Sequence, residues 1–276
     1  MDITKVLPEE CLSLIVSLTS PRDACRSSLV SRSFQLAADS DAVWDRFLPS
    51  DWLQNVSDSS SVQELSSLSS KQVFLRLCGN PVLVNNGTLL FSLGKESGKK
   101  QYVIGARRLA ISWGDTPAYW FWKSLPESRF PEVAELRFVW WFQVKGKIEG
   151  KLLSPNTSYA AYLVFKLRNS TEYLERKVGF ERTVEVSIGY EGTVGEQKRN
   201  VLLDPSTKRK RMKVQKDITS HLPRDRGDGW MEIEIGRIFN GDGDDGNVVF
   251  YVQELNGHIK AGLIVEGIEF RPEDSR

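Results

Sequence analysis

Residues 112–122 read Ser-Trp-Gly-Asp-Thr-Pro-Ala-Tyr-Trp-Phe-Trp and place five aromatic rings in eleven positions. Three of the chain's eight tryptophans, Trp113, Trp120 and Trp122, sit here. Such a cluster can fill the interior of a β-domain. It can also present flat, amphipathic faces on which a ligand stacks. Parity along the chain leaves both readings open. Trp113 falls on the same strand face as Leu109 and Ile111, which points it at a core. Trp120 and Trp122 share a face, with Tyr119 and Phe121 on the other. Asp115 lies between the first two tryptophans, and Gly114 and Pro117 mark a turn.

Other candidate chemistry fails on inspection. Lys-Arg-Lys-Arg-Met-Lys (208–213) is a basic run fit for nuclear import or for a solvated loop, and it is too isolated to argue nucleic-acid binding. Gly-Lys-Glu-Ser-Gly-Lys-Lys (94–100) resembles a phosphate loop but is one residue short, with Lys100 where a hydroxyl should meet magnesium. Asn-Gly-Asp-Gly-Asp-Asp-Gly-Asn (240–247) resembles a calcium loop but has Asp245 where glycine is needed and Tyr251 in place of the bidentate glutamate, so a hairpin turn is expected. His221 and His258 are far apart and lack metal-ligand spacing. Glu232 and Glu234 read as an exposed strand face, and no nucleophile or cofactor motif is present. An enzyme, a metal site and a cofactor are therefore not expected.

The whole chain bounds these readings. It has 276 residues, 40% hydrophobic and 26% charged, with a net charge of +1. That is globular composition without a field that steers toward nucleic acid or membrane. No apolar run approaches membrane-spanning length, and the N-terminus lacks the pattern of a signal peptide. Cys11, Cys25 and Cys78 read as free, core thiols.

Residues 1–49 have helical grammar. Leu7, Cys11, Leu14/Ile15 and Leu18 form one stripe at helical spacing. Ser20, Pro21 and Asp23 spell a helix start, and Ser40-Asp41 opens a helix carrying Val43, Trp44 and Phe47. This segment holds more apolar side chains than three short helices need internally, so some meet the next helix or a partner. Residues 50–98 read as a Ser-rich loop, a helix over roughly 61–78, a hairpin at Asn86-Gly87 and a surface linker at 94–100. From residue 99 to 276 the grammar is β. Phe138, Trp140, Phe142 and Val144 alternate with Val139 and Trp141, and further alternating runs follow at the spacing of a sandwich or barrel.

Two resemblances sharpen this. Residues 7–49, with Leu7-Pro8, the Ser-Pro-Arg-Asp-Ala-Cys-Arg turn, Val-Ser-Arg-Ser-Phe and Val43-Trp44 in order, resemble an F-box. That family docks on the Skp adaptor of SCF-type ubiquitin ligases, a complex that also contains a cullin. The resemblance makes Leu7, Pro8, Ile15, Leu18, Leu29, Val30 and Trp44 candidates for the docking face. Residues 106–122, 132–141, 158–167, 228–236 and 262–272 resemble the phloem protein 2 family, the Nictaba-like plant lectins. That resemblance implies a jelly-roll-type β-sandwich. It maps the family's two sugar-binding tryptophans onto Trp113 and Trp120. Asp115, from its place between them, is the first candidate for a polar group aimed at a sugar's hydroxyls or amides. It also implies oligosaccharides containing N-acetylglucosamine or galactose.

The expectation is an α+β multidomain protein, a small all-α F-box before an all-β lectin domain. It would be a non-catalytic substrate receptor in cytoplasm and nucleus, contacting an adaptor and a glycan or glycoprotein. Trp120, with Trp113, would be exposed, while Phe121 and Trp122 anchor the turn. Trp140, Trp141 and Trp230 are expected to be structural. The competing expectations are a domain that reads a protein surface, or a free-standing lectin.

Overall fold

A computed structural model describes residues 7–168, 180, 182–192, 197–204, 222–243 and 246–273. The basic run 208–213, His221 and Asp245 lie outside the described residues. The described residues divide into two compact units, one up to residue 102 and the other from residue 103 to 273.

The first unit opens with helices α1 (Glu9–Ser17), α2 (Pro21–Ser27), α3 (Arg32–Asp39) and α4 (Asp41–Phe47). The start of α2 follows the sequence: the Ser20 hydroxyl accepts from the Asp23 amide, and Pro21 fills the first turn, where no donor is missed. In the same way, Ser31 caps α3 through the Phe34 amide. The core holds Leu12, Val16, Ala24, Ala37, Val43 and Trp44.

Four expectations change here. The stripe Leu7, Cys11, Leu14/Ile15, Leu18 is not the inward face of α1. The helix has apolar residues on two sides, and the buried side carries Leu12 and Val16 with Ser13 and Ser17. Periodicity identifies a stripe but cannot say which stripe faces in. Instead of one helix over 61–78 there are α6 (Val62–Ser66) and α7 (Ser70–Gly79), after a short α5 (Trp52–Asn55). They separate because Ser69 and Gln72 form a reciprocal capping box that starts a new helix. The 94–100 segment is not a loose linker. It closes the turn between β2 (Leu89–Leu93) and β3 (Lys100–Gly105), with the Gly94 amide donating to Lys99 O at 2.8 Å. Gly98, at φ +68°, packs so close to Phe47 O that a Cβ would lie 2.8 Å from it, and buried Lys100 pairs with Asp51 at 2.9 Å. Cys11 and Cys25 are exposed. Cys78 alone is partly covered, and burial pushes its thiol up to about 12. The expected hairpin is present: β1 (Val82–Val84) pairs with β2 around Asn85 and Asn86, both at positive φ.

The second unit is two antiparallel sheets face to face. One runs β14 (Leu263–Pro272), β8 (Thr157–Leu167), β12 (Met231–Asn240), β11 (Arg224–Asp225), with β6 (Val133–Leu136) on β14 and β5 (Trp120–Lys123) on β6. The other runs β10 (Gln197–Val201), β9 (Val184–Tyr190), β13 (Asn247–Glu254), β7 (Phe142–Glu149), β4 (Ala110–Ile111). Their inner faces meet at Phe250 and Phe270, 5.7 Å apart. At Gly236, beside a register shift in β12, a Cβ would lie 2.4 Å from Ile188 Cγ2, so only glycine permits the approach. Segment 240–247 is a crossover, not a hairpin turn, because β12 and β13 belong to different sheets.

Glu232 and Glu234 are not a plain solvated face. Glu232 pairs with Arg226 at 2.8 Å and with Arg271, and Glu234 with Arg199 and Arg237. Neighbouring Glu269 shares Arg129, Arg226 and Arg271. Burial alone would raise its carboxyl, but the Arg271 and Arg129 guanidiniums outweigh that and lower it to about 2.

Candidate functional site

Among the described residues, exposed apolar and aromatic side chains gather in two regions that bear on function. The first is aliphatic and lies on the helical unit. Leu14, Ile15 and Leu18 stand on the open side of α1. Leu29 and Val30 follow α2, which packs on α1, and they are 86% and 70% exposed. Of the candidate docking residues, Pro8, Ile15, Leu18, Leu29 and Val30 are thus exposed, and Leu7 is half-buried. Trp44 is not part of this face. It is fully buried, its indole donates to Ala38 O at 2.7 Å, and its ring packs on Phe74 at 5.1 Å and Phe47 at 5.6 Å. A ring whose edge and both neighbours are satisfied inside the unit is the unit's own core. Leu14 and Leu36 are also exposed and were not among the candidates. Their only signal is an apolar residue on the far side of an already satisfied stripe.

The second surface is aromatic and grows from the 112–122 segment. After β4 the chain turns. The Gly114 amide donates to Ile111 O and the Thr116 amide to Trp113 O, both at 2.9 Å. Trp113 sits at the turn with φ +58°. For a bulky residue this left-handed conformation is a true outlier, kept only where its surroundings fix it. The surroundings are two other tryptophans. The Trp120 indole donates to Ser112 O at 3.1 Å and the Trp122 indole to Gly114 O at 2.9 Å, one carbonyl on each side of Trp113. The turn also breaks strand parity. Trp113 therefore leaves the face of Leu109 and Ile111 and is 45% exposed.

Trp120 is the larger correction. At 2% exposure it has no face free for a ligand. It packs 6.4 Å from Phe142 in the sandwich interior and serves as a support beneath Trp113. Phe121, expected inside, is exposed, since its strand neighbour Trp120 takes the inner side of β5. Trp122 is half-buried under the Arg107 guanidinium, 3.7 Å from its ring, in keeping with an anchor. Asp115 is exposed at the turn.

The partner ring of Trp113 comes from elsewhere in the sequence. Trp141 lies nearly parallel to it, 27° between planes and 6.3 Å between centroids. Trp140 and Trp141, expected to be structural, are both exposed because residues 137–141 interrupt the strand that the alternation predicted, leaving β6 and β7 separate. Val139 alone of that stretch turns fully inward. Two adjacent residues on a strand cannot both face solvent, so period-two counting could not have found them. Trp230 is buried, as expected.

A helical unit with an open aliphatic face, followed by a sheet-rich domain with an open aromatic one, is the class of protein this geometry defines: an N-terminal F-box region and a C-terminal β-domain. A family model described as F-box-like matches residues 4–50, and one described as Phloem protein 2 matches residues 99–272. The chain is 39% identical to F-box protein PP2-B1 of Arabidopsis thaliana, over 98% of this chain and 90% of that one. It is 38% identical to F-box protein PP2-B10 of the same plant, over 96% and 92%. The chain belongs to this family of plant F-box proteins with a phloem protein 2 domain. A solved mannanase of Podospora anserina carrying a GH26-CBM35 arrangement aligns with 64% of the chain at 7% identity and a TM-score of 0.32, a likeness that carries no weight here.

Proposed function

We propose that this protein is the substrate-recognition subunit of an SCF-type ubiquitin ligase. Its F-box unit docks the Skp adaptor, and its phloem protein 2 domain selects a glycan-bearing target. The exposed aliphatic face of Leu14, Ile15, Leu18, Leu29 and Val30 is the observation that carries the first half. Burying such a side chain completely from a fully exposed position contributes about 1.5–3 kcal/mol, and these five still have 45–86% of their surface to cover. A partner surface of matching shape would therefore supply ample driving force. The chain performs no bond chemistry in this reading. It raises the local concentration of a target near the ubiquitin-loaded enzyme.

For the second half, Trp113 and Trp141 offer flat indole faces to the apolar C–H side of a sugar, and Asp115 offers a carboxylate to its hydroxyls. Trp120 contributes by holding Trp113, without touching the ligand.

The test is co-purification of the full chain with a plant Skp adaptor, comparing wild type with an Ile15→Glu, Leu18→Lys double variant. Both positions are exposed, so the variant should melt like wild type. It should lose the adaptor, because docking would bury two unpaired charges. Undiminished co-purification would overturn the docking face.

A further inference from the structure

The open apolar side chains of the second unit gather at one end of it. Among its described residues seven large ones are exposed, and six of them, Trp113, Phe121, Trp140, Trp141, Leu255 and Ile259, belong to segments that the fold holds side by side. Trp113 stacks on Trp141, the Arg137 amide donates to Tyr119 O at 2.8 Å, and Val139 and Lys260 exchange both main-chain hydrogen bonds at 2.9 and 2.8 Å. Stacking on a sugar gives Leu255 and Ile259 no role, since neither has a flat face. The rings form no flat wall either. From Trp141 through Trp113, Tyr119 and Phe138 to Trp140, neighbouring planes meet at 27°, 59°, 84° and 86°. They brace one another into a faceted apolar cluster with the two aliphatic side chains beside it.

Loops on a protein surface ordinarily leave their carbonyls to water. Here the carbonyls have internal donors. The Lys260 ammonium, on a side chain 1% exposed, donates to Trp140 O at 2.6 Å and to Asn256 O. Asn256 O also accepts from the His258 amide, and Trp113 O from the Thr116 amide. The Ser112 and Gly114 carbonyls are held by the Trp120 and Trp122 indoles. A sugar or a protein brings hydroxyls and amides of its own to such carbonyls. Hydrocarbon brings none, and a backbone that meets it must already be satisfied from within. Cations complete the surface. The Arg137 guanidinium is exposed, lies 5.6 Å from the Phe121 ring and pairs with no carboxylate among the described residues. Arg182 is also exposed, and its charge acts on both Glu254 and Lys260. Together they outweigh the exposed carboxylate of Asp115.

We infer that this end of the second unit seats on the surface of an anionic phospholipid bilayer, with Trp140, Leu255 and Ile259 entering the boundary between headgroups and acyl chains and Arg137 and Arg182 meeting lipid phosphates. Indoles suit that boundary because one edge is polar and the ring is not, and aliphatic side chains beside them go deeper. A net charge of +1 gives no long-range attraction, so the contact rests on these side chains alone. The binding is peripheral and reversible. It goes beyond the glycan reading and does not depend on it.

The experiment is flotation of the full chain with vesicles of phosphatidylcholine alone and of phosphatidylcholine mixed with phosphatidylserine. Wild type is compared with a Leu255→Ser, Ile259→Ser variant and an Arg137→Gln, Arg182→Gln variant, each with its melting curve. Wild type should float with the mixed vesicles. The aliphatic variant, changed only at exposed positions, should melt normally and partition about tenfold or more weakly into both vesicle types. The arginine variant should lose the preference for the anionic vesicles, by about fivefold per charge. Lipid brominated near the headgroup should quench part of the wild-type tryptophan emission, a readout that needs no variant. Wild type that stays unbound with both vesicle types, an aliphatic variant that floats as wild type does, or unquenched emission from vesicle-bound wild type would each overturn the inference.

Discussion

The two open surfaces differ in how the chain holds them. Leu14, Ile15 and Leu18 ride on a regular helix whose buried side, Leu12 and Val16, already fastens it to the unit. Nothing local is strained to display them. Trp113 stands in a conformation that its own backbone disfavours, and two buried or half-buried indoles hold the carbonyls on either side. The aliphatic face is defined by area and tolerates adjustment, as burial energy is non-directional. The aromatic one is defined by orientation, because stacking fails when a ring tilts away. Recognition by the first should survive conservative changes. Recognition by the second should be lost through residues that never meet a ligand.

That contrast can be broken in order of effect. Trp120→Ala should destabilise the second unit by about 3–5 kcal/mol, read from denaturant unfolding. A loss below about 1 kcal/mol would mean that Trp120 is not a core ring. Acid should act on the second unit next. Glu269 has its carboxyl lowered to about 2. Its stabilisation is therefore complete above the ordinary glutamate value and is lost as pH falls through that value toward 2. The shift corresponds to about 3 kcal/mol. Glu269→Gln should flatten this part of the pH–stability curve, and an unchanged slope would remove Glu269 from the account.

Trp120→Phe keeps a ring in place but orphans the Ser112 carbonyl. It should cost about 1–3 kcal/mol of stability and weaken ligand affinity at least tenfold although Trp120 touches no ligand. Affinity equal to wild type would show that the indole clamp does not orient Trp113. The smallest stability effect belongs to Trp113→Gly. Relief of the left-handed strain offsets the lost stacking on Trp141, so stability should stay within about 0.5 kcal/mol of wild type while binding disappears. On the helical unit, Cys11 lies one turn before Leu14 and Ile15 and is exposed. Thiol labelling of Cys11 should be rapid in the free chain and slowed by bound adaptor. Equal rates would place the docking face elsewhere.

Much of the fold was legible in the sequence, and the reasons differ by element. The cap at Ser20, the Asn86 hairpin and the helical-then-β order are local chemistry, and local chemistry is written in adjacent residues. The inward side of α1 was not legible, because Leu12 and Leu14 are equally apolar and only the neighbouring helices decide between them. At the aromatic site the segment 112–122 was visible, but the roles of its rings were not. The left-handed turn at Trp113 inverts the parity that assigned it to the core, and Trp120 goes inside in its place. Trp141 was hidden because it meets Trp113 only through the fold, across a break in what read as one strand.

The near-parallel stacking of Trp113 on Trp141 has an optical consequence. Two indoles 6.3 Å apart and 27° from parallel couple their excited states. They should give a split circular-dichroism band that isolated indoles such as Trp230 do not contribute. A guest that settles on the pair changes the geometry or the surroundings of both chromophores together. The native chain therefore carries its own unlabelled reporter of occupancy at this surface.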